Sequence, residues 1–209
     1  METMLVTQAL NELKLLNDRI ENKIYSCEFV ESAKKSDKNV SKGVTKEKFV
    51  ANAKSDYDSV MDLIKRRQKI KNAIVASNAV EKVTVAGIEM TRAEAIEMKS
   101  SIQCQKELLT VMETQYASAV KKMENANQKV DNTIDDMLAK LYGRDSDKKL
   151  SKDDQDAVAT PYREANQHAL VDALNIKEKI DYLREFIGRF TSEVDSVLQV
   201  SNCTTTIEF

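Results

Sequence analysis

The sequence TRAEAIEMKSSIQCQKELLTVMETQYASAVKKMENANQKVDNTIDDMLAKL (residues 91–141) decides the fold of this chain. It contains no Gly or Pro, and its apolar residues recur at alternating spacings of three and four, the heptad pattern of a helix that packs along other helices. This seam consists of Ala95, Met98, Ile102, Gln105, Leu109, Met112, Tyr116, Ala119, Met123, Ala126, Val130, Thr133/Ile134, Met137 and Leu141. Such a helix is about 75 Å long, and no compact globule encloses it, so we expect other long helices beside it.

The composition agrees with a helical protein. Charged residues make up 32% of the 209 residues and aromatic residues 5%, with 4 Gly and 1 Pro. So few turn-forming residues argue against many short strands. The net charge of −2 gives no general attraction to nucleic acid or to anionic membranes, so we expect neither as a partner.

The cysteines and the apolar segments bear on location. Cys27, Cys104 and Cys203 lack paired spacing, and we expect Cys27 and Cys104 to be small core residues of helices. The absence of a disulfide framework favours a reducing compartment. We find no signal-peptide pattern and no apolar stretch near the ~18 residues of a membrane span, so a cytoplasmic protein is expected.

A first helix is predicted after a short apolar strand at 1–6, with Thr7 as its N-cap. Its seam consists of Leu10, Leu13, Asn17, Ile20, Ile24 and Cys27. Asn17 resembles the polar seam residues that set register in coiled coils. The alternative is that Leu16 occupies the seam and Asn17 faces water.

A second helix is predicted at about 45–76, ending at Ser77-Asn78. The alternating sequence VEKVTV, the pair Ala86-Gly87 and the sequence IEMT then predict a β-hairpin with a two-residue turn.

Thr91 and Glu94 form a capping-box pattern that starts the third helix, which ends near Gly143. The last helix is predicted from Asn175 to residue 202, followed by a terminal strand, TTTIEF. We expect charged connections at 33–44 and 143–160.

The second connection, 143–160, is predicted to contain a short helix, 151–159, closed by Thr160-Pro161. Together these elements predict a mainly α fold. It is a single domain, 1–209, built as an antiparallel bundle of four long helices with coiled-coil-like seams. A small β element, the hairpin at about 80–91 with the terminal strands, lies at one pole. The order of elements also suggests an internal duplication of 1–86 and 87–209, in which Thr7-Gln-Ala corresponds to Thr91-Arg-Ala.

The Thr-x-Ala helix openings, the sequence SNAVEKVTVAGIEMTRAEAI (77–96) and the closing SNCTTTIEF (201–209) resemble the septicolysin-like family of helical bacterial and phage-borne proteins. The resemblance spans both halves but not the charged connections. It implies a mostly helical, oligomeric protein without an established activity, and it attaches no catalytic residue to any position.

The candidate binding residues are basic. Arg66, Arg67 and Lys71 lie in a cationic part of the second helix, and Arg92 lies in the first turn of the third. They are candidates for an anion site, because guanidinium groups match phosphate geometry and helix N-termini favour anions. The alternative is a solvated, ion-paired helix face. The lone His168 and the acidic stretch DSDKKLSKDDQD match no metal-site spacing, so no metal, cofactor or catalytic residue is expected.

The sequence therefore favours a non-enzymatic structural or scaffolding protein that acts through homo-oligomerisation, and the family resemblance suggests a phage origin. The third-helix seam is longer than the first or last helix can cover, and the second helix, the short helix or another copy of the chain must cover the rest. Asn17 and Gln105 are the candidate register-setting residues. The alternative function is an oligomeric protein that sequesters a nucleotide or other anion. A third, membrane lysis, rests on the family name alone.

Overall fold

The computed structural model describes residues 2–41, 43–142 and 152–209. The chain is mainly helical with short antiparallel strand pairs, as the sequence predicts. Its elements are β1 (Thr3–Leu5), α1 (Val6–Ser26), β2 (Asn39–Ser41), β3 (Val44–Thr45), α2 (Lys46–Val80), β4 (Lys82–Val85), β5 (Ile88–Thr91), α3 (Arg92–Tyr142), α4 (Lys152–Asn166), α5 (Ile176–Thr204) and β6 (Thr206–Glu208). Residues 143–151 of the charged connection expected at 143–160 lie outside the described residues.

The chain divides into two compact units, one of Met1–Ser100 with Arg189–Phe209 and the other of Ser101–Gly188. In the first unit α1 and α2 form an antiparallel hairpin. Lys23 Nζ lies 2.7 Å from Asp56 and Arg66 Nε lies 2.5 Å from Glu12, so later residues of α1 face earlier residues of α2. The hairpin core consists of Val6, Ala9, Leu13, Leu16, Ile70, Ile74 and Ile207. Apolar spacings of three and four along α1 therefore bury one face of that helix against α2 and β6.

Strand pairing in this unit follows the predicted hairpin and adds a pairing that was not predicted. β4 pairs with β5, and Ala86 and Gly87 between them have φ angles of 52° and 80°, as a type I′ turn requires. β1 pairs with β6, with Met4 opposite Ile207. The hairpin and both terminal strands are thus confirmed. β2 and β3 form a third pair within the segment expected to be an exposed connection.

The starts of α1 and α3 share one backbone arrangement. Val6 N donates to Thr205 O at 3.0 Å, and Arg92 N donates to Glu81 O at 2.9 Å. Each accepting carbonyl belongs to the residue that follows a long helix, α5 or α2. This similarity agrees with the suggested duplication, which stays a prediction.

The prediction that Thr7 caps α1 is wrong. The helix starts at Val6, so Thr7 lies inside it, and the N–H of Leu5 donates to Gln8 Oε1 at 3.2 Å. Gln8 thereby has the role that Glu94 has for Thr91 in α3. Leu5, rather than Thr7, corresponds to Thr91.

Three helices continue past their predicted ends. α2 runs through Ser77-Asn78 to Val80, and α5 runs to Thr204, because further backbone hydrogen bonds extend both helices, such as Glu81 N to Ser77 O at 2.9 Å. α4 runs through Pro161 to Asn166. A proline has a helical φ angle but removes one backbone hydrogen bond of the helix.

In the second unit α4 and the first part of α5 both run antiparallel to α3. Arg163 of α4 lies 2.9 Å from Asp131, and Arg184 of α5 lies 2.7 Å from Glu113. Later residues of the chain therefore lie beside earlier residues of α3. The core cluster here is Val130, Ile134 and Ala159. α4 of the same chain therefore covers the end of the α3 seam, one of the alternatives that the sequence left open.

The capping box of α3 predicts a response to acid. Glu94 Oε2 accepts from the Thr91 N–H at 2.6 Å and from the Thr91 hydroxyl at 3.0 Å, and these bonds lower the pKa of the Glu94 carboxyl below its ordinary value of 4.5. A carboxyl whose pKa is lower in the folded state than in the unfolded state stabilises the fold at pH values above the unfolded-state pKa. This stabilisation is lost as the pH falls through the folded-state pKa. We expect Glu94→Gln to lower the Tm at neutral pH, and the difference from wild type to shrink below pH 4.5.

Thermal melts followed by far-UV circular dichroism at a series of pH values measure this difference. Glu124→Gln is the control, since Glu124 is an exposed residue of the same helix. A Tm difference for Glu94→Gln that is constant from neutral to acidic pH would contradict the prediction.

Candidate functional site

Arg66, the first predicted anion ligand, is fully engaged by the protein itself. Its Nη1 and Nη2 donate to the Glu2 carboxylate at 3.0 and 2.8 Å, and its Nε donates to Glu12 at 2.5 Å. The guanidinium also lies 5.6 Å from the centre of the Phe209 ring. The bond to Glu2 is the main cause of the raised pKa of Arg66 and of the lowered pKa of Glu2. Arg66 therefore joins α2 to α1 and to both terminal strand regions.

Arg67 and Lys71 lie on α2 beside Arg66. Arg67 Nε donates to Asn17 Oδ1 of α1. Asn17 is exposed and Leu16 is buried, so the alternative in which Leu16 occupies the seam describes the structure. Lys71 is exposed, and no ion pair of its side chain is found in the described part of the chain.

Arg92 is the most buried of the predicted ligands, with an exposed fraction of 0%. Its Nη2 donates to Ser77 Oγ and its Nη1 donates to Asn202 Oδ1 at 3.3 Å, while its Nε has no hydrogen-bond partner. Burial lowers the pKa of Arg92. A guanidinium enclosed in this way offers no surface to a dissolved anion, so Arg92 does not join Arg66, Arg67 and Lys71 in one exposed site.

Gln105, the second candidate for register setting, is half-buried in the α3 seam, and its Oε1 is buried without a hydrogen-bond partner. A buried acceptor that lacks a donor costs about 1–3 kcal/mol. The register role of Gln105 stays a prediction. Its neighbour Cys104 is exposed, which corrects the expected core position, because Cys104 falls between the seam residues Ile102 and Gln105.

A large apolar groove lies at the start of α2, and the sequence did not single it out. α1 ends at Ser26, and Lys23 faces Asp56, so about two turns at the start of α2 extend beyond the end of α1. The groove has a volume of about 770 Å³. Its apolar lining consists of Ile24, Phe29, Phe49, Val50, Ala53, Tyr57 and Val60.

Four of the seven apolar groove residues are exposed to solvent, namely Ile24, Phe29, Val50 and Tyr57. Tyr57 is 56% exposed and Val50 is 51% exposed, and next to the groove lining Tyr25 and Val30 are 83% and 87% exposed. Adjacent exposed apolar residues of this kind are typical of surfaces that bind a partner. The groove is therefore the candidate functional site.

Two charged residues line the groove, Lys54 and Asp58. They lie one turn apart on α2 and have opposite signs. Within the described residues neither side chain forms an ion pair. Each is therefore available to a partner that brings the complementary charge.

One signal in the sequence points to this groove. The predicted second helix is longer than the first, and its apolar residue Phe49 precedes the part that the first helix can face, since Lys23 near the end of α1 lies opposite Asp56. A comparison of those two lengths would have located the uncovered apolar face.

No family model, no curated protein and no solved structure matches this chain. In the parts of the chain that the structure describes, no helix combines the length and the apolarity needed to cross a membrane. The function of the chain is therefore inferred from the geometry of the groove.

Proposed function

We propose that this chain is a non-enzymatic structural protein that acts by self-association, in which two copies pair through the groove at the start of α2. The observation that supports this is the apolar face of a helix that extends beyond its partner within the chain. Burying apolar surface contributes about 25 cal/mol per Å². We also propose that the long helices form an antiparallel four-helix arrangement. The proposed location is the cytoplasm, and the proposed role is that of a phage-related scaffold.

The two groove charges favour a second copy as the occupant. In a two-fold dimer the same surface patch meets itself, so a contact of one residue with another occurs twice. If two α2 helices approach antiparallel, Lys54 of each copy lies next to Asp58 of the other. A second copy thus supplies both an apolar surface and the two missing counter-charges.

The first test is the mass in solution. We expect sedimentation equilibrium at micromolar concentration to give twice the 23.6 kDa of one chain. Val50→Lys places a charge in the apolar contact and is expected to weaken the dimer at least about tenfold, or about 1.4 kcal/mol. A monomeric wild type would contradict the proposal.

Val75→Lys is the matched control, because Val75 is on the same helix outside the groove and is 54% exposed, against 51% for Val50. Val75→Lys is expected to leave the dimer unchanged. Equal weakening by both variants would exclude the groove as the contact.

Charge reversal tests the two-fold pairing. Lys54→Glu alone places two acidic residues opposite each other, and Asp58→Lys alone places two lysines opposite each other, so each variant is expected to dissociate. An equimolar mixture of the two restores both ion pairs and is expected to form a heterodimer. A mixture that stays monomeric would contradict the antiparallel pairing.

A further inference from the structure

A second pocket lies in the second unit, between α3 and the end of α4, and has a volume of about 470 Å³. Its polar lining includes Lys122, Asn125, Lys129, Tyr162, Asn166 and His168. The volume lies in the range of pockets that hold small molecules. This pocket is separate from the groove of the first unit in residues and in chemistry.

The chain segment after α4 is fixed at this pocket by one side chain. Asn127 Nδ2 donates to the His168 carbonyl at 3.0 Å, and the His168 N–H donates to Asn127 Oδ1 at 2.7 Å. Tyr162 packs against the cluster of Val130 and Ile134. The wall formed by Tyr162 and His168 is thus held against α3 from two sides.

Among the described residues, the lining contains two lysines and no acidic residue. Lys122 and Lys129 are seven residues apart and so project from the same face of α3. Neither forms an ion pair within the described residues, and the nearby Asp131 is occupied by Arg163 at 2.9 Å. The C-terminal end of α4 contributes only about half a negative charge, which two lysines outweigh.

We propose that this pocket binds a small phosphate-bearing anion. Lysine is a point charge suited to phosphate, and the amide of Asn125 supplies a neutral donor. Asn166 Nδ2 donates one of its two N–H groups to Tyr162 O at 2.9 Å and has a second for the ligand. Because the site lies on residues that the proposed dimer contact does not use, loss of dimerisation and loss of anion binding are separate results.

The test titrates the full chain with inorganic pyrophosphate at about 0.15 M salt, where long-range attraction between exposed charges is screened. His168 is the only histidine in the sequence, so its imidazole NMR signals report on the pocket without further assignment. We expect saturable shifts of those signals. Parallel titrations with inorganic phosphate and with AMP distinguish a simple phosphate ligand from a nucleotide.

Calorimetry with variants locates the site. Lys122→Ala and Lys129→Ala are each expected to raise the Kd for pyrophosphate by about tenfold. Lys121→Ala is the matched control, because Lys121 is an exposed neighbour on the same helix that does not line the pocket. Binding that is absent with all three ligands, or an equal loss in Lys121→Ala, would overturn the proposal.

Discussion

Replacing Arg92 by alanine is expected to lower the free energy of unfolding by about 3–5 kcal/mol. Arg92 is completely buried, so the truncation leaves a cavity at the start of α3. It also leaves the oxygen atoms of Ser77 and Asn202 without their donors. Urea denaturation followed by far-UV circular dichroism measures the loss, since the chain contains no Trp.

Arg92→Met distinguishes the effect of losing the side-chain volume of Arg92 from the effect of losing its charge. Within the described residues no carboxylate lies within ion-pair distance of Arg92, and Glu81 acts on it only at longer range, so its charge is buried at a cost that the methionine removes while filling most of the same space. The corresponding position at the start of α1 is Val6, an apolar residue that is equally buried. We expect Arg92→Met to lie within about 1 kcal/mol of wild type. A loss as large as that of Arg92→Ala would show that the hydrogen bonds, rather than the volume, hold this site.

Local signals in the sequence located most of the helices and strands. The heptad seam of α3 and the Ala86-Gly87 turn depend on residues close in sequence, and both were predicted from them. The pairing of β1 with β6 was not predicted, because it joins residues almost the whole chain apart and is fixed by how α1, α2 and α5 bring those ends together. The ends of α2 and α5 were missed by four and two residues, because continued backbone bonding outweighs an Asn stop signal, and the end of α4 was missed by seven residues, because that helix continues through Pro161.

The partners of the basic residues were beyond the reach of sequence patterns. A cationic stretch on α2 shows that Arg66 is present but not that Glu2 and Glu12 meet it. Arg92 has the position of an exposed first-turn cation, yet the tertiary structure encloses it. The partners and the burial of these residues depend on contacts between segments that are distant in sequence, and such contacts leave no periodic pattern in the sequence.

Mismatched helix lengths occur in two pairs of helices, with different outcomes in the structure. The expected surplus of α3 is covered at Val130 and Ile134 by α4. Within the described residues no helix covers the surplus of α2 over α1, and this part of α2 forms the groove. Predicting which surplus is filled requires knowing the path of the connecting segments as well as the helix lengths.

Ile70→Ala is expected to lower the free energy of unfolding by about 2–5 kcal/mol. Ile70 has an exposed fraction of 0% and lies in the cluster that joins α2 to Leu13 of α1 and to Ile207 of β6. Ile64→Ala is the matched control on the same helix, because Ile64 is 38% exposed, and we expect it to cost less than about 1 kcal/mol. Urea denaturation at fixed protein concentration measures both variants.

The location of Ile70 also predicts which hydrogen bonds weaken. Because Ile70 shares its cluster with Ile207, we expect Ile70→Ala to speed amide exchange in the pair of β1 and β6 more than in the hairpin of β4 and β5. That result would show that the terminal strands depend on the α1–α2 core. Equal acceleration in both strand pairs would instead mean that the first unit opens as one cooperative body, and equal costs for Ile70→Ala and Ile64→Ala would contradict the packing itself.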